Sequence, residues 1–393
     1  MLRAVVLGSR FGGLAVLTWL RRLFPPSDLH VTVVDQWEEM VFRPGLVHAM
    51  DQSPQKLVPH VTINLRHFWQ RHKIQAVHDT IVAVDPQRRM VHTTVHPPIP
   101  YDVLYIATGS TPKWDAIEGL DRHRAGICEG YLARHTAAIN QRQHQGRFVF
   151  AAGPIFGAPQ WTPAIHVGCE CPLIESALLW DQHLRRIKQR GQAEITVVTP
   201  SSQIAEMAGP AAQHTLTEIL QRRDINVVTN AQYVRVTDTR LELRERTLPL
   251  ERIIWIPPQG GSAWLTQSNV ADVHGWVPVT DHLQHPRWPD IYAVGDIVSQ
   301  SWPKMGHSAM VQARIAVHHW AHTRQKRKTP PMAYNPQLLW VLEDSPGEAL
   351  FVLSNVLWGG DRERVWHHPI PYWAKQLFQW SYVIRAGALP IMP

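Results

Sequence analysis

The opening of the chain, from Ala4 to Asp35, limits the possible folds more than any later stretch. Ala4-Val5-Val6-Leu7 is an apolar run that enters a turn at Gly8. Gly12 and Gly13 then open a stretch with Leu14, Val16, Leu17 and Leu20 at helical spacing. A second β-branched run from His30 ends on Asp35. Strand, glycine turn, helix and acid-tipped strand make a βαβ unit with a phosphate cradle at the helix N-terminus. Asp35 follows Gly13 by 22 residues, where a carboxylate takes a ribose hydroxyl pair. The middle glycine of the G-x-G-x-x-G fingerprint is replaced by Arg10, with Phe11 beside it. Arg10 either points away from the phosphates or lies along them as a cation.

Two later segments return to the same chemistry. Tyr101 to Ile106 is a buried-strand pattern that closes on Ala107-Thr108-Gly109, whose small side chains let the backbone pass close to a dinucleotide. Asp290 to Asp296 is a strand ending in Gly295-Asp296, ahead of Pro303-Lys304-Met305-Gly306 and a helical run. A carboxylate after such a strand holds the ribityl or pyrophosphate part of FAD. These three pieces read as one divided FAD-binding domain. The expected fold is α/β: two Rossmann-like domains, the second inserted in the first, followed by an amphipathic C-terminal segment.

The inserted part repeats the βαβ pattern. Arg147 to Gly153 is a strand, Pro172 to Arg190 a helix and Glu194 to Thr199 the next strand. No glycine fingerprint follows Ala152, and Thr199 stands where a strand that binds NADH carries an acid. The expected divisions are 1–112 and 251–328 for the FAD domain, 113–250 for the insert and 329–393 for the C-terminal region.

Composition narrows the setting. The net charge of +7 suits an anionic lipid surface, and the one basic run, Arg324 to Lys328, is too short to argue for a nucleic-acid partner. Seventeen tryptophans favour boundaries between apolar and wet regions. No run of eighteen apolar residues predicts a membrane span, and no leader sequence is expected. The three cysteines do not make a secreted disulfide framework, and no metal site is expected.

Together these segments resemble the sulfide:quinone oxidoreductases, a branch of the flavoproteins with two dinucleotide-binding domains. Gly126-Ile127-Cys128 resembles the family's first cysteine segment. Cys169-Glu170-Cys171-Pro172-Leu173-Ile174-Glu175 resembles its Cys-x-Gly-Pro-x-x-Glu element, with Cys171 in place of the glycine. Pro303-Lys304-Met305-Gly306 is similar to the segment against the flavin, and Pro371 to Ala388 to the membrane-seated end. The resemblance implies FAD, a peripheral position on the cytoplasmic side of a membrane, and electron transfer from sulfide to membrane quinone. It is compatible with a homo-oligomer.

The departures are equally specific. The family's late cysteine has no counterpart in Asn335 to Gly347, and Leu132 replaces a histidine that follows the first cysteine. Two other readings follow: an NADH:quinone dehydrogenase, or a flavin-binding sensor without turnover.

Several candidate residues keep two readings. Cys169 precedes a helix start, which lowers a thiol pKa and favours reaction with a flavin; the alternative is an inert buried thiol. Cys171 either partners Cys169 or has no role, and Cys128 is either a further catalytic thiol or a bystander nearer the surface. Lys304 either faces the flavin pyrimidine or is a solvated lysine. Glu175 either relays protons or caps the helix of Pro172. Trp373, Leu377, Trp380 and Ile384 share a helical face flanked by Lys375 and Arg385. That face meets either lipid or the protein's own core.

Overall fold

The computed structural model describes residues 1–121, 126–158, 160–324 and 332–387. The basic run after Arg324, and Ala388 at the end of the aromatic tail, lie outside the described residues.

In chain order the elements that place the site are β1 (Leu2–Leu7), α1 (Phe11–Leu23), β2 (Leu29–Asp35), β3 (Gln75–His78) and β4 (Val103–Ile106). Then come β5 (Gly146–Ala152), α2 (Cys171–Arg186), β6 (Ala193–Val198), α3 (Pro210–Arg222), β7 (Ile225–Val228) and β8 (Arg252–Ile256). The chain returns through β9 (Ile291–Ala293) and α4 (Gly306–Thr323). It ends in β10 (Leu338–Ser345), β11 (Glu348–Ser354), β12 (Glu363–His368) and α5 (Pro369–Ile384).

The first sheet is parallel, in the order β9-β4-β1-β2-β3. Its central strands are apolar without alternation because both faces are covered, and all four residues of β4 are buried. β9 enters this sheet beside β4, so the two distant segments read as one domain do meet. The second sheet is also parallel, in the order β7-β6-β5-β8. β8 pairs with β5 from Phe148↔Arg252 to Ala152↔Ile256. The inserted domain therefore extends past the expected boundary at 250.

The last three strands form an antiparallel sheet whose first strand, β10, lies against α2. β12 runs directly into α5, which crosses β10 and β11. The inner side of α5 buries Pro371 and Tyr382. Trp373, Leu377, Trp380 and Ile384 are each more than 60% exposed. The reading in which that face packs on the protein's own core is overturned. Among the described residues, no helix is long and apolar enough to cross a membrane.

Candidate active site

The glycine turn after β1 is built by close approach. Gly8 has φ +95°, and a Cβ there would stand 2.6 Å from the carbonyl oxygen of Ala107. A Cβ on Gly13 would lie 1.9 Å from the carbonyl oxygen of Gly8, so no larger residue fits. The Ser9 amide and hydroxyl both donate to Asp35 Oδ2, each at 2.7 Å. Asp35 thus fastens the end of β2 to the turn, with Oδ1 accepting from the Trp37 amide at 3.1 Å. Gly12 lies on α1 against Val294, directly after β9. Thr108 Oγ1, beside Gly8, is buried with no partner among the described residues. A buried orphan hydroxyl at a glycine turn fits a polar ligand group, as a dinucleotide would supply. Gly109 follows with φ +73° and open space around it.

Other predicted cofactor residues are engaged with each other. A Cβ on Gly306 would lie 2.9 Å from the Phe11 ring, and Phe11 packs on Phe42 and Tyr382 with ring centroids 5.6 and 5.0 Å apart. The Gly295 amide donates to Gln312 Oε1 at 2.7 Å. Burial raises the Asp296 carboxyl, while Arg43, Lys304 and Arg10 oppose that shift.

The two predicted cations are engaged by the protein's own groups. Arg10 Nη2 lies 3.7 Å from Glu129 Oε2, and Arg43 Nη2 lies 3.1 Å from Glu129 Oε1. The neighbouring Arg43, together with burial, lowers the Arg10 pKa. Arg10 thus pairs with Glu129 while staying within electrostatic reach of Asp35 and Asp296 beside the cradle. Lys304 is neither solvated nor extended. Its ammonium donates to the carbonyls of Val298 at 2.5 Å and Gln300 at 3.0 Å, and sits 4.4 Å from the Trp161 ring centroid. Burial lowers its pKa to about 7.

All three cysteines are free and partly exposed. The helix-terminus argument for a low thiol pKa fails. α2 begins at Cys171, and burial pushes the Cys169 thiol up to about 12 even though the Cys171 amide donates to it. Burial likewise raises Cys128 to about 12 and Cys171 well above its ordinary value. Cys128 is also no surface bystander. It packs against the main core, and both it and Asp296 are within electrostatic reach of Cys169. Cys171 feels Glu175, Cys169 and Lys375.

Glu175 caps nothing; it is buried in a charged network. Lys375 Nζ pairs with Glu175 Oε1 and lies 3.2 Å from Glu343 Oε1. The Glu343 amide donates to Glu175 at 3.0 Å. His48 adds Nε2 at 3.6 Å from Glu343 and Nδ1 at 3.2 Å from Asp51. Burial disfavours the His48 imidazolium, but the two carboxylates outweigh it and raise the pKa to about 10. This network borders a cleft of about 630 Å³ lined by His48, Asp51, Glu343, Tyr372, Gln376 and Gln379, among others.

Sequence reasoning missed Glu129, Arg43 and the inward direction of Lys375. The last had a signal. Pro371, Lys375, Phe378 and Tyr382 recur at i, i+4, i+7 and i+11, the inner stripe of α5.

Residues 2–317 match the pyridine nucleotide-disulphide oxidoreductase family. The chain belongs to that family. It is an FAD-dependent oxidoreductase of the sulfide:quinone oxidoreductase type. The mitochondrial sulfide:quinone oxidoreductase of Mus musculus is 23% identical over 330 residues, covering 79% of this chain and 69% of the relative. The sulfide-quinone reductase of Aquifex aeolicus is 24% identical over 307 residues, covering 75% of this chain and 68% of the relative. The solved Aquifex aeolicus sulfide:quinone oxidoreductase superposes with a TM-score of 0.86 at 19% identity, over 98% of this chain and 92% of that one. The family's FAD fits the turn at Gly8 to Gly13, the orphan Thr108 hydroxyl and the acid-tipped β2.

Proposed function

We propose that this chain passes electrons from sulfide, or a related sulfur compound, through Cys169 and FAD to a membrane quinone. The observation that carries this reading is the seat of the Cys169 segment beside the cradle: the Lys304 amide donates to the Gly168 carbonyl at 3.3 Å, and Cys128 and Asp296 lie within electrostatic reach of Cys169. Cys128 takes the part of the late cysteine that Asn335 to Gly347 lacks. A thiol held protonated by burial must lose its proton before it attacks, and Asp296 is a carboxylate within electrostatic reach of Cys169. Gly8, Gly12, Gly13, Asp35, Thr108 and Asp296 would hold FAD, which supplies a two-electron acceptor when bound.

Phe11, Phe42, Phe378 and Tyr382 form an aromatic cluster with ring centroids 5.0 to 6.0 Å apart. It joins the cradle to α5 and suits the approach of an apolar quinone. The exposed outer face of α5, with Arg385 exposed at its end, supports a reading in which this helix meets lipid and the protein sits peripherally on the cytoplasmic side of a membrane.

An anaerobic titration of the purified flavoprotein with sulfide tests the reading. Sulfide should bleach the oxidised-flavin band, and added quinone should restore it. Bleaching by NADH but not by sulfide would favour the dehydrogenase reading. A flavin unmoved by either would favour a sensor.

A further inference from the structure

The two βαβ units can be superimposed by register. Leu7 pairs with Val34, and Asp35 is the next residue; Ala151 pairs with Val198, and Thr199 is the next residue. Thr199 therefore occupies in the second sheet the place of Asp35 in the first. The connections that follow the leading strands differ in length. Residues 8 to 10 link β1 to α1, whereas residues 153 to 170 link β5 to α2. The long link folds back so that its last residue, Glu170, enters the crevice at the carboxyl ends of the strands, the place where open α/β sheets bind ligands.

Glu170 is 1% exposed. Its Oε1 accepts the Thr199 hydroxyl at 2.7 Å, and its Oε2 accepts the Glu206 amide at 2.8 Å. The charged and titratable neighbours come from several elements. Glu206 faces it and is itself held by His166, with Nδ1 at 2.7 Å from Oε1. Ser201 donates to Glu206 at 3.4 Å. Tyr233 crosses the floor, donating to the carbonyls of Ala152 at 2.7 Å and Val198 at 3.2 Å. Cys169 and Cys171 flank Glu170 in sequence. Cys169 is in reach of Asp296, Cys128 and Glu170 itself, and Cys171 of Glu175, Cys169 and Lys375.

We propose that Glu170 is a positioning residue: its carboxylate fills the second crevice as a built-in ligand and so fixes the place of the Cys169 thiol beside it. The crevice has become the socket of the cysteine segment. This goes beyond the sulfide reading, since it concerns how Cys169 is held whatever its substrate. Burial raises the Glu170 pKa to about 7, opposed by the hydrogen bonds from Thr199 and Glu206. Above that pH the ionised carboxylate accepts both hydrogen bonds. Below it, one oxygen carries a proton and the grip loosens.

The test is alkylation of the flavin-loaded protein with iodoacetamide, read by peptide mass spectrometry as the ratio of Cys169 to Cys128 labelling. Cys128 serves as the internal reference for general thiol ionisation. One pH unit above the Glu170 value, Glu170→Gln and Thr199→Val should each raise the ratio about tenfold, the scale of one hydrogen bond to a charged group. One unit below it, wild type should approach the Gln variant. A ratio and pH profile that match wild type in both variants would overturn the proposal. If Glu170→Gln does not fold, Thr199→Val alone decides. Because the assay contains no sulfide, a failure of the sulfide reading leaves its result intact.

Discussion

The two parallel sheets share one topology and use their crevices in opposite ways. In the first, a three-residue link keeps the helix start against the strand, and the Ser9 side chain closes the turn onto Asp35. The second has a link six times as long, and that link ends in the crevice. The length of one connection decides whether a βαβ unit faces a ligand or its own chain. The C-terminal region continues the contrast: α5 turns Lys375 inward to two carboxylates and leaves its tryptophans outside. Changes in the open half should alter ligand content and chemistry. Changes in the self-closed parts should alter stability.

The largest effect should come from Gly13→Trp. The approach to Gly8 leaves no room for a side chain, so the purified variant should have lost its flavin absorbance. Full yellow colour would place the cradle elsewhere. Next is Cys169→Ser, which should abolish bleaching by sulfide while flavin content stays normal. Cys128→Ser should slow bleaching more than Cys171→Ser does, because Cys128 shares the Asp296 side with Cys169. The reverse order in stopped-flow absorbance would return the partner role to Cys171.

On the self-closed side, Lys375→Met leaves Glu175 and Glu343 buried without their shared ammonium. Its cost should be about 3–5 kcal/mol in urea unfolding, with flavin retained in the folded fraction. A cost near zero would show that the network takes up protons instead. Replacing Trp373, Leu377 and Trp380 together by Ser should release the protein from anionic vesicles in flotation without changing the Tm, since these side chains touch little of the protein.

The smallest effect concerns pH. His48 has a raised folded pKa of about 10, so its ion pairs contribute fully below the ordinary histidine value and fade as pH rises through 10. The Tm gap between wild type and His48→Gln should be wide at acid to neutral pH and close in alkali. A constant gap would mean that His48 acts by packing alone.

Much of the first domain was legible because its signals are local: an apolar run, a glycine turn, helical spacing and an acid at the strand end. The place of β8 was not, because its partner β5 lies about a hundred residues earlier and nothing in Arg252 to Ile256 names it. The thiols were misjudged for a different reason. Sequence reveals a nearby helix start, which favours the thiolate, but not the desolvation that outweighs it at Cys169. Lys304 and Arg10 were recognised as cations near the cradle. Their partners, two carbonyls and Glu129, come from segments that no local pattern connects. Thr199 was read as the loss of an acid. Glu170, twenty-nine residues earlier, supplies one from another direction.

The inward lysine also ties α5 to the body of the molecule. A helix held only by apolar contacts can peel from its body and stay behind in lipid. α5 cannot do so without stranding two carboxylates in the interior. If the proposed lipid contact holds, helix and body would arrive and depart as one rigid unit.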